Sequence, residues 1–67
     1  METVQSFLTY HAFEGGRLTF EEARKLLEDA LMDCFLIDAQ SIDQVDVEAE
    51  TRIANATAAR MLEKMGA

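Results

Sequence analysis

The strongest helix signal in this chain is the run LTFEEARKLLEDAL at residues 18–31. Thr19 and Glu22 have the spacing of a capping box, in which each side chain bonds the backbone N–H of the other residue. After this box, apolar residues recur at steps of three and four, as on one face of a helix. The sequence therefore predicts a helix over about residues 20–37. Its apolar seam consists of Phe20, Ala23, Leu27, Ala30, Cys34 and Ile37.

A second apolar stripe precedes this run and predicts a helix over about residues 3–13. The stripe consists of Val4, Phe7, Leu8 and either His11 or Ala12. Valine, threonine, phenylalanine and tyrosine are weak helix formers, so an extended arm through residues 4–10 stays open as the alternative. Gly15 and Gly16 then predict a left-handed stop at which the chain can reverse.

A third helix is expected over about residues 42–65. Ser41 and Gln44 have the spacing of a second capping box, with Ser41 as the N-cap. The acidic residues of this segment lie at its start and the basic residues lie later, which suits a helix macrodipole. We predict an all-α fold class, a three-helix miniprotein with one domain over residues 1–67. Helices 2 and 3 should form an antiparallel hairpin, capped by the first helix.

The chain is too short to bury a large core by itself, since it has 67 residues and ten of its apolar residues are alanines. Its single cysteine excludes an intrachain disulfide and a cysteine-based zinc site. Oligomerisation is the stabiliser that remains, so we predict a homodimer or a higher homo-oligomer. The predicted apolar interface consists of Leu31, Met32, Phe35, Leu36, Met61 and Met65.

The formal net charge of -7 comes from one part of the chain, because residues 26–51 contain eight acids and no Lys or Arg. The candidate partner-binding acids are Asp33, Asp38, Asp43, Asp46, Glu48 and Glu50. They form a solvated face, a docking surface for a basic and nucleic-acid-handling protein, or a divalent cation site. Direct nucleic-acid binding is disfavoured, because phosphate contacts need clustered Lys and Arg.

Catalytic motifs are lacking in the sequence. His11 is the only histidine, and Cys34, the only thiol, falls on the apolar seam of the second helix. No glycine-rich phosphate loop or serine-nucleophile motif occurs, so we predict no enzyme activity, no cofactor and no metal. The sequence has no run of 18 apolar residues and does not begin with the pattern of a secretory signal. We therefore expect a cytoplasmic protein with no membrane partner.

Two short segments resemble known families. Residues 17–27 resemble the opening of excisionase-type helix-turn-helix domains, but residues 28–33 continue the helix where that family has a turn and a basic recognition helix. Residues 36–45 are similar to the segment of acyl carrier proteins that bears phosphopantetheine on a serine, which corresponds to Ser41. Gln40 stands where those proteins usually have aspartate. The first resemblance implies DNA reading, and the second implies a carrier role.

The function expected from these features is that of a non-enzymatic, acidic, helical module that binds proteins through a homo-oligomeric or partner interface and has a regulatory role. Three alternatives stay open. One is an inhibitor from a phage or mobile element that mimics nucleic acid with its acidic face. The others are a structural assembly protein, and an acyl-carrier-like or calcium-binding protein.

Overall fold

The computed structural model describes residues 3–32 and 42–66 of the chain. These residues form three α-helices, which are α1 at Val4–Gly15, α2 at Phe20–Met32 and α3 at Val47–Lys64. A 3-10 turn at Ile42–Gln44 precedes α3. No strand occurs within these two ranges, so the prediction of an all-α protein with three helices is confirmed.

Helix α1 forms where the sequence left an extended arm open. Thr3 caps its start, with the backbone N–H of Ser6 donating to Thr3 Oγ1 at 3.1 Å. Gly16 follows the last turn with a φ of 86°, a conformation that glycine adopts at little cost. The first segment is therefore helical in place of the extended alternative, and its helix ends at the predicted glycines.

Helix α2 begins with the predicted capping box. The backbone N–H of Thr19 donates to Glu22 Oε1 at 2.9 Å, and the backbone N–H of Glu22 donates to Thr19 Oγ1 at 3.1 Å. Two N–H groups that the helix itself leaves without acceptors are thereby satisfied. The structure describes α2 as far as Met32, so the predicted continuation to residue 37 lies outside the described residues.

Helix α3 starts later than predicted. Its N-cap is Asp46, whose Oδ1 accepts from the backbone N–H of Ala49 at 3.1 Å, so the expected helical start at residue 42 is wrong. The 3-10 turn ends before this cap and allows Ile42 and Val45 to pack against the core. Aspartate and serine are equally good N-cap residues, so the cap residue alone does not decide where the helix begins. The packing of Ile42 and Val45 against the core favours the start at Val47. Ser41, the predicted cap, lies outside the described residues.

The core is small and contains several alanines. One cluster joins all three helices through Leu8, Ala23, Leu27, Val47 and Ala54. Leu8 and Leu27 are the only large side chains fully buried among the described residues. Phe20, which the sequence placed on the buried seam, is instead exposed at the first position of α2. The fold thus buries little apolar volume for its length.

The alanines of α3 allow α1 to approach closely, and the packing of α1 on α3 is the most extensive helix contact. Ala12 on α1 and Ala58 on α3 are both buried. Helix α2 packs on α3 and on the 3-10 turn. Small residues permit a short distance between helix axes but contribute little buried area each.

Asn55 ties the start of α2 to the middle of α3. Its Nδ2 donates to the carbonyl of Leu18 at 2.8 Å, and its Oδ1 accepts from the backbone N–H of Leu18 at 3.0 Å. Further along α2, Arg24 lies 3.5 Å from Asp43 in the 3-10 turn. The residues before α2 thus contact the middle of α3, and Arg24 of α2 contacts the turn that precedes α3.

None of the helices in the described ranges is long and apolar enough to cross a membrane.

Candidate functional site

An apolar groove lies between α1 and α3. Its volume is about 470 Å³, and its walls carry no charged side chain. The residues that line it are Gln5, Ser6, Thr9, Tyr10, Phe13, Thr57 and Met61. A groove whose walls include two aromatic rings and a methionine offers a surface for an apolar side chain of a partner.

A second groove, of about 300 Å³, is lined by residues of α1 and α3 and by the two residues that follow α1. Its residues are Ala12, Gly16, Arg17, Ala58, Ala59, Leu62 and Glu63. The buried Ala12 and Ala58 contribute only short side chains to this groove. Apolar surface is therefore open between α1 and α3, beside the charged Arg17 and Glu63.

The predicted apolar interface residues do not all lie on one surface of the molecule. Met61 and Met65, exposed by 41% and 70%, lie at the end of α3. Met32 is 82% exposed at the end of α2, the helix that packs on the 3-10 turn. Since α3 rises about 1.5 Å per residue, Met61 lies about 21 Å from Val47 along its axis. Met32 and Met61 therefore belong to different ends of the molecule.

The remaining predicted interface residues are either part of the core or outside the described residues. Leu31 is partly buried and packs against the core cluster, so it contributes to the fold. Phe35 and Leu36 lie outside the described residues. Two exposed apolar residues that the prediction missed are Tyr10 and Ile53. Ile53 could have been found from the secondary apolar row of the third helix, whereas Tyr10 lies off the predicted stripe of the first.

One guanidinium brings two acids from distant parts of the sequence together. Arg24 Nε lies 3.4 Å from Glu28 Oε1, and Arg24 Nη2 lies 3.5 Å from Asp43 Oδ1. Asp43 belongs to the predicted acidic patch, whereas its shared contact with Arg24 depends on the fold and has no signal in the sequence. Because all three side chains are well exposed, water screens these ion pairs and they contribute little to stability.

The remaining predicted acids surround the start of α3 and do not share one face. Asp46 is the N-cap, and Glu48 Oε1 lies 3.7 Å from Arg52 Nη1 on the helix surface. Glu48 and Glu50 are two residues apart, which turns their side chains about 200° from each other around the axis. Asp33 and Asp38 lie outside the described residues. We call Asp43, Asp46, Glu48 and Glu50 the acidic end of α3.

Glu50 has an unusual environment within this group. It is half-buried, and its Oε2 has almost no access to solvent and no hydrogen-bond partner among residues 3–32 and 42–66. The neighbouring Thr51 Oγ1 is also buried, again with no partner in those two ranges. A buried polar group left unsatisfied costs about 1–3 kcal/mol. The position in the first turn of α3 offsets part of this cost for a carboxylate, through the helix dipole.

The histidine lies among aromatic rings. His11 contacts Phe7 edge-to-face with ring centroids 4.6 Å apart, and it contacts Tyr10 in the same way at 5.4 Å. Within residues 3–32 and 42–66, no group of three or more His, Cys, Asp or Glu side chains is placed to hold a metal ion. Cys34 and Ser41 lie outside these ranges.

No protein-family model, no curated protein and no solved structure matches this chain. Function is therefore inferred from the grooves, the exposed apolar residues and the distribution of charge.

Proposed function

We propose that the protein is a cytoplasmic, non-enzymatic interaction module that self-associates as a homodimer or higher homo-oligomer. The observation that carries this proposal is the excess of exposed over buried large apolar side chains in the described residues. Those that are buried are Leu8, Leu27 and Val47. Those that are exposed are Tyr10, Phe20, Met32, Ile53, Met61, Leu62 and Met65.

Association would supply stability that the fold itself lacks. Burying a large apolar side chain contributes about 1.5–3 kcal/mol, and a chain of this length rarely reaches ample stability from its own core. Self-association of several such side chains would therefore change the stability of the folded state substantially. Folding and assembly are thus expected to be coupled in this protein.

The side of the molecule formed by α1 and α3 is the proposed interface. Five of the seven exposed apolar residues belong to these two helices or to the residue that follows α3, and the larger groove lies between the helices. Met32, at the end of α2, lies away from that groove. The interface would therefore centre on Tyr10, Ile53 and Met61.

An antiparallel hairpin of α2 and α3 is part of the proposal. Two contacts support opposite chain directions. Leu18, before α2, bonds to Asn55 in the middle of α3, whereas Arg24, further along the chain, pairs with Asp43, which precedes α3. Contacts that advance along α2 therefore move back towards the start of α3. This arrangement leaves the side of α3 that faces away from α2 available for a partner.

A pair of matched variants tests the location of the interface. Met61→Asp should shift the molar mass of the assembled protein towards that of one chain, because it places a charge in the apolar groove. Met32→Asp introduces the same charge at the other end of the molecule and should leave the mass unchanged. Equal effects of the two variants, or no effect of either, would contradict the proposal.

A second candidate function is supported by the acidic end of α3. The side chains of Asp43 and Glu48 are 83% and 69% exposed, which suits the capture of a basic protein such as one that handles nucleic acid. We expect a ten-residue lysine peptide to bind this end more weakly after Asp43→Asn and Glu48→Gln. The control is Glu14→Gln with Glu63→Gln, which removes the same charge elsewhere. Equal loss in both double variants would mean that only net charge matters.

A further inference from the structure

One side of α3 carries acids at its start, apolar residues in its middle and bases at its end. We call this side the α3 flank. Its members follow one another at steps of one to four and lie within an arc of about 120° on the helix. They are Asp46, Ala49, Glu50, Ile53, Ala56, Thr57, Arg60 and Lys64. Five of these eight residues are exposed and three are half-buried, so the described parts of α1 and α2 leave most of the flank open, although Thr57 borders the groove beside α1.

This order of charges is complementary to itself when reversed. If a second copy of the flank lies antiparallel beside the first, the acids of each copy face the bases of the other. A two-fold axis produces this arrangement, because the same surface then serves both copies. A parallel arrangement would instead place acids beside acids, which is unfavourable.

We propose that two copies of the chain pair through the α3 flank, antiparallel about a two-fold axis at the level of residue 55. In this register, Glu50 faces Arg60 of the second copy, and Asp46 faces Lys64 of the second copy. Ile53 faces Thr57 of the second copy at the centre. The inference rests on the proposed self-association and specifies its geometry.

Three charged side chains of the flank, those of Glu50, Arg60 and Lys64, make no ion pair within the described residues. Glu50 and Arg60 are ten residues apart on one helix, or about 15 Å, which is too far for direct contact within one copy. A second copy would give each of these groups a partner of opposite charge.

The centre of the flank is suited to close helix packing. Ile53 is 47% exposed, and Ala49 and Ala56 are small enough to let another helix approach. The hydroxyl of Thr57 donates to the carbonyl of Ile53 at 2.9 Å. Its hydrogen is therefore already used, and the methyl group of Thr57 can be buried without leaving a donor unsatisfied.

Charge reversal tests the register directly. Glu50→Arg and Arg60→Glu each place two like charges opposite each other in a symmetric dimer, and each should raise the dimer dissociation constant at least about tenfold at low salt. Mixing the two single variants should restore association to within about threefold of wild type, because both charge pairs are then opposite in sign. Sedimentation equilibrium measures all of these constants.

Two further variants separate the pairing from other effects. Lys64→Glu places a second acid opposite Asp46 of the other copy and should also weaken the dimer. It leaves the first turn of α3 unchanged, so the register can still be tested if Glu50→Arg does not fold. Lys25→Glu on α2 makes the same change in net charge away from the flank and should leave the dissociation constant within about twofold of wild type.

The outcomes distinguish this inference from the proposed function. If wild type dimerises but charge reversal has no effect, or mixing restores nothing, the flank pairing is wrong while self-association stands. If wild type is a folded monomer at every concentration, both fail, and the flank is left for a different protein. Weakening by reversal together with recovery on mixing supports both.

Discussion

The side-chain amide of Asn55 pairs with both backbone groups of Leu18, donating to its carbonyl at 2.8 Å and accepting from its N–H at 3.0 Å. The two residues are 37 positions apart in the chain, so the pair fixes the connection between α1 and α2 against the middle of α3. Both residues are partly buried, which makes replacement of these bonds by water incomplete.

Replacing Asn55 should therefore destabilise the fold. Asn55→Ala removes both bonds and leaves two backbone groups without partners, so we expect the free energy of unfolding to fall by about 2 kcal/mol. Lys25→Ala, an exposed change on α2 away from the proposed interface, should cost less than about 0.5 kcal/mol. Urea unfolding at one fixed protein concentration measures both values. Equal values for the two variants would show that the Asn55 bonds contribute little.

Two adjacent glycines provide a matched test of the backbone. Gly15 lies in the last turn of α1, whereas Gly16 has a φ of 86°, and a Cβ added at either position meets no atom within 4 Å. Gly15→Ala should stabilise the protein by about 0.4–1 kcal/mol, because alanine restricts the unfolded chain. Gly16→Ala should destabilise it by about 1 kcal/mol, because a side chain is strained at this φ. Thermal unfolding followed by circular dichroism distinguishes these opposite signs; shifts of the same sign would contradict the assigned end of α1.

The start of α3 can be tested through its cap. Asp46→Ala removes the acceptor for the N–H of Ala49, so we expect a loss of about 1 kcal/mol in the free energy of unfolding. Asp43→Ala removes only an exposed 3.5 Å contact with Arg24 and should cost less than about 0.5 kcal/mol. A larger loss for Asp43→Ala than for Asp46→Ala would contradict a helix that begins at Val47.

The capping box of α2 gives a further prediction. Thr19→Ala should lower the free energy of unfolding by about 1 kcal/mol, because the N–H of Glu22 loses its acceptor. Glu22→Gln keeps an oxygen that can accept from Thr19 and should be nearly neutral. Equilibrium unfolding in urea checks both changes, and a neutral Thr19→Ala would mean that the box adds no stability.

Local features were predictable from the sequence because each depends on residues a few positions apart. The capping box at Thr19 and Glu22 is one example, and the stop at Gly16 is another. Helical periodicity likewise identified Leu8 and Leu27 as buried. These features require only backbone geometry and the spacing of apolar residues.

Features that depend on distant residues were not predictable. Asn55 lies in a helix, where asparagine is a poor former, but nothing in the sequence identifies Leu18 as its partner. The cap at Asp46 competes with one at Ser41, and the packing of Ile42 against the core favours the later start.

The spatial grouping of the candidate site residues was likewise not predictable from the sequence. The sequence grouped Met32 with Met61 because both lie on apolar helical faces, whereas the order of the helices in space places them at different ends. Similarly, Glu48 and Glu50 appeared as one acidic patch, although helix geometry turns them to different sides.

The measurement that tests self-association most directly is the molar mass of the wild-type protein in solution. Light scattering on a size-exclusion column, across a dilution series at low and moderate salt, should give about twice the chain mass of 7.5 kDa or more at high concentration. The mass should fall with dilution, and it should fall sooner at moderate salt because charge pairs at the interface are screened. A folded protein of 7.5 kDa at every concentration and salt would contradict the account.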